Sequence, residues 1–178
     1  SRSHIPRAPL QAVPVTSSLH WVVLALFPSY LLVSATTDIT QVIAPIPLLW
    51  VVPLALYLLS FILGFDTSYG RIPALALLAA SIGTFIFMPS GQVILTLANA
   101  LAILFAASWY CHGRLYDLRP RAQSLSWFYL CISFGGMLGT FLAAILAPLM
   151  LPDIWEFSIG LSFATALVFA YIASSIRW

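Results

Sequence analysis

The 178 residues are 62% hydrophobic and 7% charged, with a mean hydropathy of +1.03. So little polar surface cannot solvate a globule around a single core, which excludes an ordinary soluble domain and makes the chain an integral membrane protein. A net charge of +2 is too small to point to nucleic acid, and with no lysine present every basic contact falls to arginine.

Residues 1–18 are Pro-rich and mildly basic (Arg2, Pro6, Arg7, Pro9, Pro14) and read as a cytoplasmic lead-in or an inter-helix linker, not as a signal peptide. On that reading the chain is a processed product or an excised piece. A bilayer core near 30 Å asks for about 20 apolar residues per helix. Six segments meet that length in residues 19–37, 43–65, 72–88, 92–110, 127–151 and 157–176. They predict an all-α bundle of six transmembrane helices over residues 19–178, with both termini inside.

The topology follows from arginine. Counted from an inside N-terminus, Arg2, Arg7, Arg71, Arg114, Arg119, Arg121 and Arg177 all fall inside, while Asp38, Asp153 and Glu156 fall outside. Unbiased placement would give that arrangement about once in a hundred, and this asymmetry is what orients membrane helices.

In the first segment, His20 stands at the start and is a candidate axial ligand to haem or chlorophyll magnesium, although a lone histidine at an interface is far more often neither. Asp38, in Thr36-Thr37-Asp38-Ile39-Thr40, is expected to end the helix at the outer interface; inside the membrane an acid would be a functional candidate. The second segment opens with Pro45 and Pro47, tolerated where amides lack partners. Pro53 is expected a turn and a half inside, where it kinks the helix, and Pro28 does the same in the first. Paired broken helices are one way to build a transporter site.

In the fourth segment, Asn99 near the middle calls for an interhelical hydrogen bond. His112 closes that helix, with Gly113 as its cap, a position where the helix dipole favours a charged imidazole. Cys111 and His112 could supply two metal ligands, but only distant Cys131 offers a third, so no metal and no other cofactor is expected. The following loop carries Arg114, Arg119 and Arg121 beside Trp127, Phe128 and Tyr129, and suits contact with anionic headgroups or a cytoplasmic domain. The fifth segment repeats small residues every four positions at Gly135, Gly139, Ala143 and Ala147, a helix-packing strip; Ala98, Ala102 and Ala106 repeat it in the fourth, and Gly160 and Ala164 in the sixth.

Three ordered strings, residues 43–61, residues 111–120 and the run from Phe128 through Gly139 to Leu149, resemble the membrane region of bacterial fused spermidine-synthase-like proteins, described as fusions of a major-facilitator-like segment with a spermidine synthase domain. The resemblance covers about residues 20–160 and implies a bacterial inner membrane as the location. It implies a membrane segment preceding a soluble aminopropyltransferase-like domain, and no Gly-rich nucleotide loop with an acidic ribose partner occurs in these residues. The chain departs from the pattern at Val42, Arg114 and Ala143, where the family carries an acid, a Glu and an Asn. Any catalysis would therefore lie outside this chain. The expected role is a non-catalytic membrane scaffold, either the anchor of a synthase-like protein or an accessory subunit of a larger membrane complex. The expected partners are lipids together with other membrane subunits or a soluble domain, and no nucleic acid. The alternative is a transporter or half-transporter for a small solute.

Overall fold

The computed structural model describes residues 14–42, 48–66, 72–87 and 92–150. These form α1 (Val15–Val42), α2 (Val51–Asp66), α3 (Ile72–Phe87), α4 (Val93–Asp117) and, after a single 3-10 turn (Ala122–Ser124), α5 (Leu125–Phe141). The last helix runs on through a π-helical turn (Leu142–Leu146) into a final α-helical turn (Ala147–Met150). The described residues contain no strand. Three helices are long and apolar enough to cross a membrane: α1, α4 and α5 with its continuations. At 16 residues each, α2 and α3 fall short of the length a full crossing asks for. The sixth predicted segment, Asp153, Glu156, Gly160, Ala164, and the basic residues Arg2, Arg7, Arg71 and Arg177 lie outside the described residues, as do Pro45 and Pro47.

The helices alternate in direction. Trp127 donates its indole N–H to Ser18 Oγ, and Trp21 meets Phe128 edge to face, so α1 and α5 run parallel. Trp21 also donates to the Leu118 carbonyl at 3.2 Å, which sets α4 antiparallel to α1. Phe65 lies against Tyr116, and Ser60 against His112, so α2 runs parallel to α4. One end of the bundle thus gathers the start of α1, the end of α2, the end of α4 and the start of α5. Two apolar clusters stack above it. Near that end sit Trp21, Ala25, Leu115, Phe128 and Cys131; deeper sit Phe27, Tyr30, Leu31, Ile103, Leu104, Ala107 and Cys111 with Ala143.

Among the described glycines, those of α5 that face α1 are the most tightly confined. A Cβ placed on Gly135 would collide with the Val22 carbonyl oxygen, and one on Gly139 with that of Leu26. Gly136 is less confined, its nearest neighbour being Ser29 Oγ at 3.3 Å. Without a hydrophobic drive between helices in lipid, such approach is the source of packing, and Cα–H groups directed at carbonyl oxygens add to it. Ala143 and Ala147, further along the strip, are also buried.

The structure corrects three expectations from the sequence. The fourth helix does not stop at Tyr110 or at His112: it runs to Asp117 and is capped at Leu118, because Gly113, with no Cβ to pack, is tolerated within a helix whose next face still carries buried Leu115. Pro53 does not kink α2. A turn at Leu48–Trp50 starts the helix at Val51, so Pro53 sits in the first turn, where its missing amide had no helical acceptor. Asp38 does not end α1, which continues to Val42 and leaves the carboxylate on a half-buried helical face.

Replacing Gly139 by Leu should cost about 1–3 kcal/mol by overpacking. Gly136→Ala, which meets only a movable hydroxyl, should leave stability nearly unchanged. Thermal unfolding of the two variants in the same detergent compares them, and equal midpoints would show that the carbonyl contact does not hold α5 to α1.

Candidate functional site

Among the described residues, the three arginines Arg114, Arg119 and Arg121 lie at the end of the bundle shared by α1, α2, α4 and α5. His112 is buried near this end and packs against α2. The Ser60 hydroxyl has one proton, donated to the Tyr57 carbonyl at 2.6 Å. Its lone pairs then accept from His112 Nδ1–H at 3.2 Å, which fixes Nδ1 as a protonated nitrogen of the ring. Tyr57 and Phe61 meet the same imidazole edge to face at 5.2 and 4.9 Å. Gly64, one turn beyond Ser60, allows this proximity, since a Cβ there would stand 2.7 Å from His112 Cβ. One turn earlier on α4, Ser108 Oγ is buried with no hydrogen-bond partner among the described residues.

From His112 an aromatic run leads outward to charge. Phe61 stacks on Phe65 at 4.4 Å, Phe65 meets Tyr116 edge to face at 5.9 Å, and the Arg119 guanidinium lies over the Tyr116 ring at 4.0 Å. Arg114 faces Asp117 one turn along α4 at 3.8 Å. That pair is partly exposed and contributes at most a few tenths of a kcal/mol. Arg121 is extended and precedes the 3-10 turn that opens α5. Trp21 and Trp127 place their indole N–H groups on polar partners at this same end, the amphipathic arrangement favoured where apolar core meets headgroups.

The sequence expectations for individual residues divide. Arg114 belongs to α4 and not to a loop, whereas Arg119 and Arg121 flank Pro120 in the connection to α5. His112, expected to be a terminal residue facing a helix dipole, is interior because the helix outlasts it by more than a turn. Cys111 packs in the deeper apolar cluster and Cys131 in the one near the basic end; both are buried free thiols. Among the described residues, no group of three or more His, Cys, Asp or Glu side chains could hold a metal ion. Asn99 is buried in α4 and engaged with a neighbour, as is half-buried Asp38 near the far end of α1. His20 is exposed, its Nδ1 bonded to the Thr16 carbonyl at 2.6 Å.

Sequence reasoning misses Ser60, Tyr57, Phe61 and Gly64. A signal for them exists in Ser60-x-x-x-Gly64, the small pair at four-residue spacing that lets a second helix come close. No protein-family model, curated protein or solved structure matches the chain.

The Ser60–His112 contact should show a coupling of about 0.5–1.5 kcal/mol in a double-mutant cycle, the range of interhelical hydrogen bonds in membranes. Ser60→Ala, His112→Phe and the double variant, unfolded in detergent, give that value. Strict additivity would show that the two side chains are adjacent without being coupled.

Proposed function

We propose that this chain is a non-catalytic membrane scaffold, multi-pass in a bacterial cytoplasmic membrane. It serves either as the anchor region of a spermidine-synthase-like protein or as an accessory helical subunit of a larger membrane complex. The observation that supports this reading is the use made of the interior polar groups. Ser60 and His112 bond helix to helix, and the Trp21 and Trp127 indoles tie α1 to the α4–α5 region. Hydroxyls of Ser29, Thr36, Thr37 and Thr40 return to carbonyls of their own helix. The bonds between helices, of Ser60 with His112 and of the two indoles, are what a scaffold requires.

The outward faces fit the same role. Leu58, Leu59 and Ile62 on α2, and Leu130, Phe134, Met137 and Phe141 on α5, are exposed large apolar side chains suited to lipid or to other membrane subunits. With the six-span count, the end that carries Arg114, Arg119 and Arg121 is cytoplasmic. Purification of the native chain under mild detergent tests the reading directly: stoichiometric retention of a membrane subunit or of a soluble synthase-like domain is expected. Migration as an isolated chain, with no partner, would count against it.

The topology is tested separately by labelling. A Ser124→Cys probe in a background lacking Cys111 and Cys131 should react with a membrane-impermeant maleimide only in inverted vesicles or opened cells. Reaction in intact cells would reverse the orientation.

A second reading, transport of a small solute, is favoured by one feature: a π-helical turn in α5 faces α1, which carries buried Pro28 inside the span. If α1 formed an ion path, Asp38 would act through its charge. Asp38→Asn is expected to leave both assembly and cell growth unchanged. A proton or solute flux in reconstituted vesicles that vanishes in this variant would replace the scaffold with a transporter.

A further inference from the structure

The side of α1 turned away from both α4 and α5 is buried over half its length. Val22, Leu26 and Ser29 mark the face of α1 that meets α5, and Trp21, bonded to the Leu118 carbonyl, marks the one that meets α4. With each residue turning the helix by about 100°, Ser34 points more than about 100° away from both of those directions. Its side chain is too short to reach round the helix. Yet Ser34 is 3% exposed, and its Oγ is enclosed with no hydrogen-bond partner among the described residues. Phe27, two turns earlier on the same side, is also buried, and Asp38, one turn later, is half-buried. Nearer the start of α1 the same side is open, with Val23 at 47% and Leu19 at 63% exposure. α2 and α3 pack chiefly on α4. The cover therefore lies on the half of α1 that ends at Val42, and α4 and α5 do not supply it.

We propose that the sixth apolar segment, residues 157–176, packs as a membrane helix against this side of α1, with Gly160 and Ala164 at the contact. Covering α1 from Phe27 to Asp38 takes about 18 Å of helix. Residues 43–47, 67–71 and 88–91 are too short for that, and residues 1–13 join α1 at its open end. The course of the chain favours the last segment as well. α1 and α5 are parallel with Gly139 at the level of Leu26, so Met150, eleven residues on, closes α5 near the level of Thr37. The connection of residues 151–156 spans up to about 20 Å when extended, enough to pass from α5 to the far side of α1. A return from there runs antiparallel to α1 and brings residues 160–167 near the level of Ser34. Gly160 and Ala164, one turn apart, admit a close backbone, and Thr165 beside them offers a hydroxyl to the unmatched one of Ser34. The exposed Phe134, Met137 and Phe141 of α5 then stay open to lipid or to a partner subunit.

This inference rests on the six-span reading, which is tested first and separately. A Trp178→Cys probe in the background lacking Cys111 and Cys131 should be labelled from the same side as Ser124→Cys. Labelling from the opposite side would mean that residues 157–176 do not cross, and would fail that reading itself. With the crossing in place, Ser34→Cys is combined in turn with a cysteine at each of residues 160–167 of the full chain and oxidised in membranes. A disulfide needs Cα atoms within about 7 Å. Cross-links are expected at positions three or four residues apart, the spacing of one helix face, as a shifted single-chain band that a reducing agent restores. The same scan against Met137→Cys, on the outer face of α5, should give none. Each single-cysteine variant should unfold at the parent's temperature, which shows that the fold survives. No cross-link to Ser34→Cys, or cross-links to Met137→Cys in its place, would overturn the proposal. Cross-links that join two differently tagged copies would overturn it in favour of a second copy on this side of α1.

Discussion

Membrane helices gain little by burying apolar surface against each other, because lipid already provides an apolar environment; how closely their backbones approach decides whether they stay together. Among the described glycines the tightest approach is made where Gly135 and Gly139 of α5 lie against the Val22 and Leu26 carbonyls of α1. That contact sets the two helices parallel, and the rest of the bundle is arranged by it. Trp127 can reach Ser18, and Trp21 can lie across Phe128, only because the two helices start at the same end. Trp21 then bonds to the Leu118 carbonyl, just past the end of α4, and so carries the α1–α5 register over to a third helix.

From α4 the same logic extends to α2 through different chemistry. Ser60 and Gly64 form a small pair that admits the His112 side chain, and the hydroxyl both satisfies the imidazole N–H and returns its own proton to the Tyr57 carbonyl. A buried imidazole with no acceptor would cost more than the bond itself is worth, so the pair specifies how α2 sits on α4 as much as it stabilises the contact. The aromatic run from Phe61 through Phe65 to Tyr116 continues the contact outward until it meets Arg119. Interior packing and the surface guanidinium are therefore parts of one column. A change at Phe65 would be felt by Arg119 through the ring on which it rests.

The membrane class and the helical character are legible in the sequence because they depend on composition and on the length of apolar runs, which tertiary contacts do not alter. Helix ends are less legible. Gly113 after His112 has the pattern of a C-cap, yet α4 continues, since buried Leu115 beyond it gains more from the helix than a single interior glycine costs, about 1 kcal/mol. Pro53 misleads for the same reason in reverse: the apolar run begins before the helix does, and hydrophobicity alone does not mark where a turn at Leu48–Trp50 intervenes. The arginines at the end of α4 stand out by type and clustering. Their separation into a pair along the helix, Arg114 with Asp117, and a stacked Arg119 does not, because it depends on where α4 ends: Arg114 lies within it and Arg119 just past its cap.

The small strip of α5 shows how a pattern in sequence and a distortion in structure complete one another. Residues spaced by four in a regular α-helix drift around the axis by about 40° per step, because four residues exceed one turn of 3.6. Over the three steps from Gly135 to Ala147 that drift would carry the last small residue well away from the face where the first packs. Between Leu142 and Leu146 the helix widens into a π turn, in which the Ala147 amide reaches back to the Leu142 carbonyl and each residue advances through a smaller angle. The drift is corrected, and Ala143 and Ala147 are both buried although Ala144, Ile145 and Leu146 between them are exposed. Pro148 follows at once, and a regular helix would need its absent amide and would press its ring on the carbonyl four residues before. The widened turn relaxes both demands, so the proline that disfavours a straight helix and the four-residue strip that cannot stay on one face of it are accommodated by the same local unwinding.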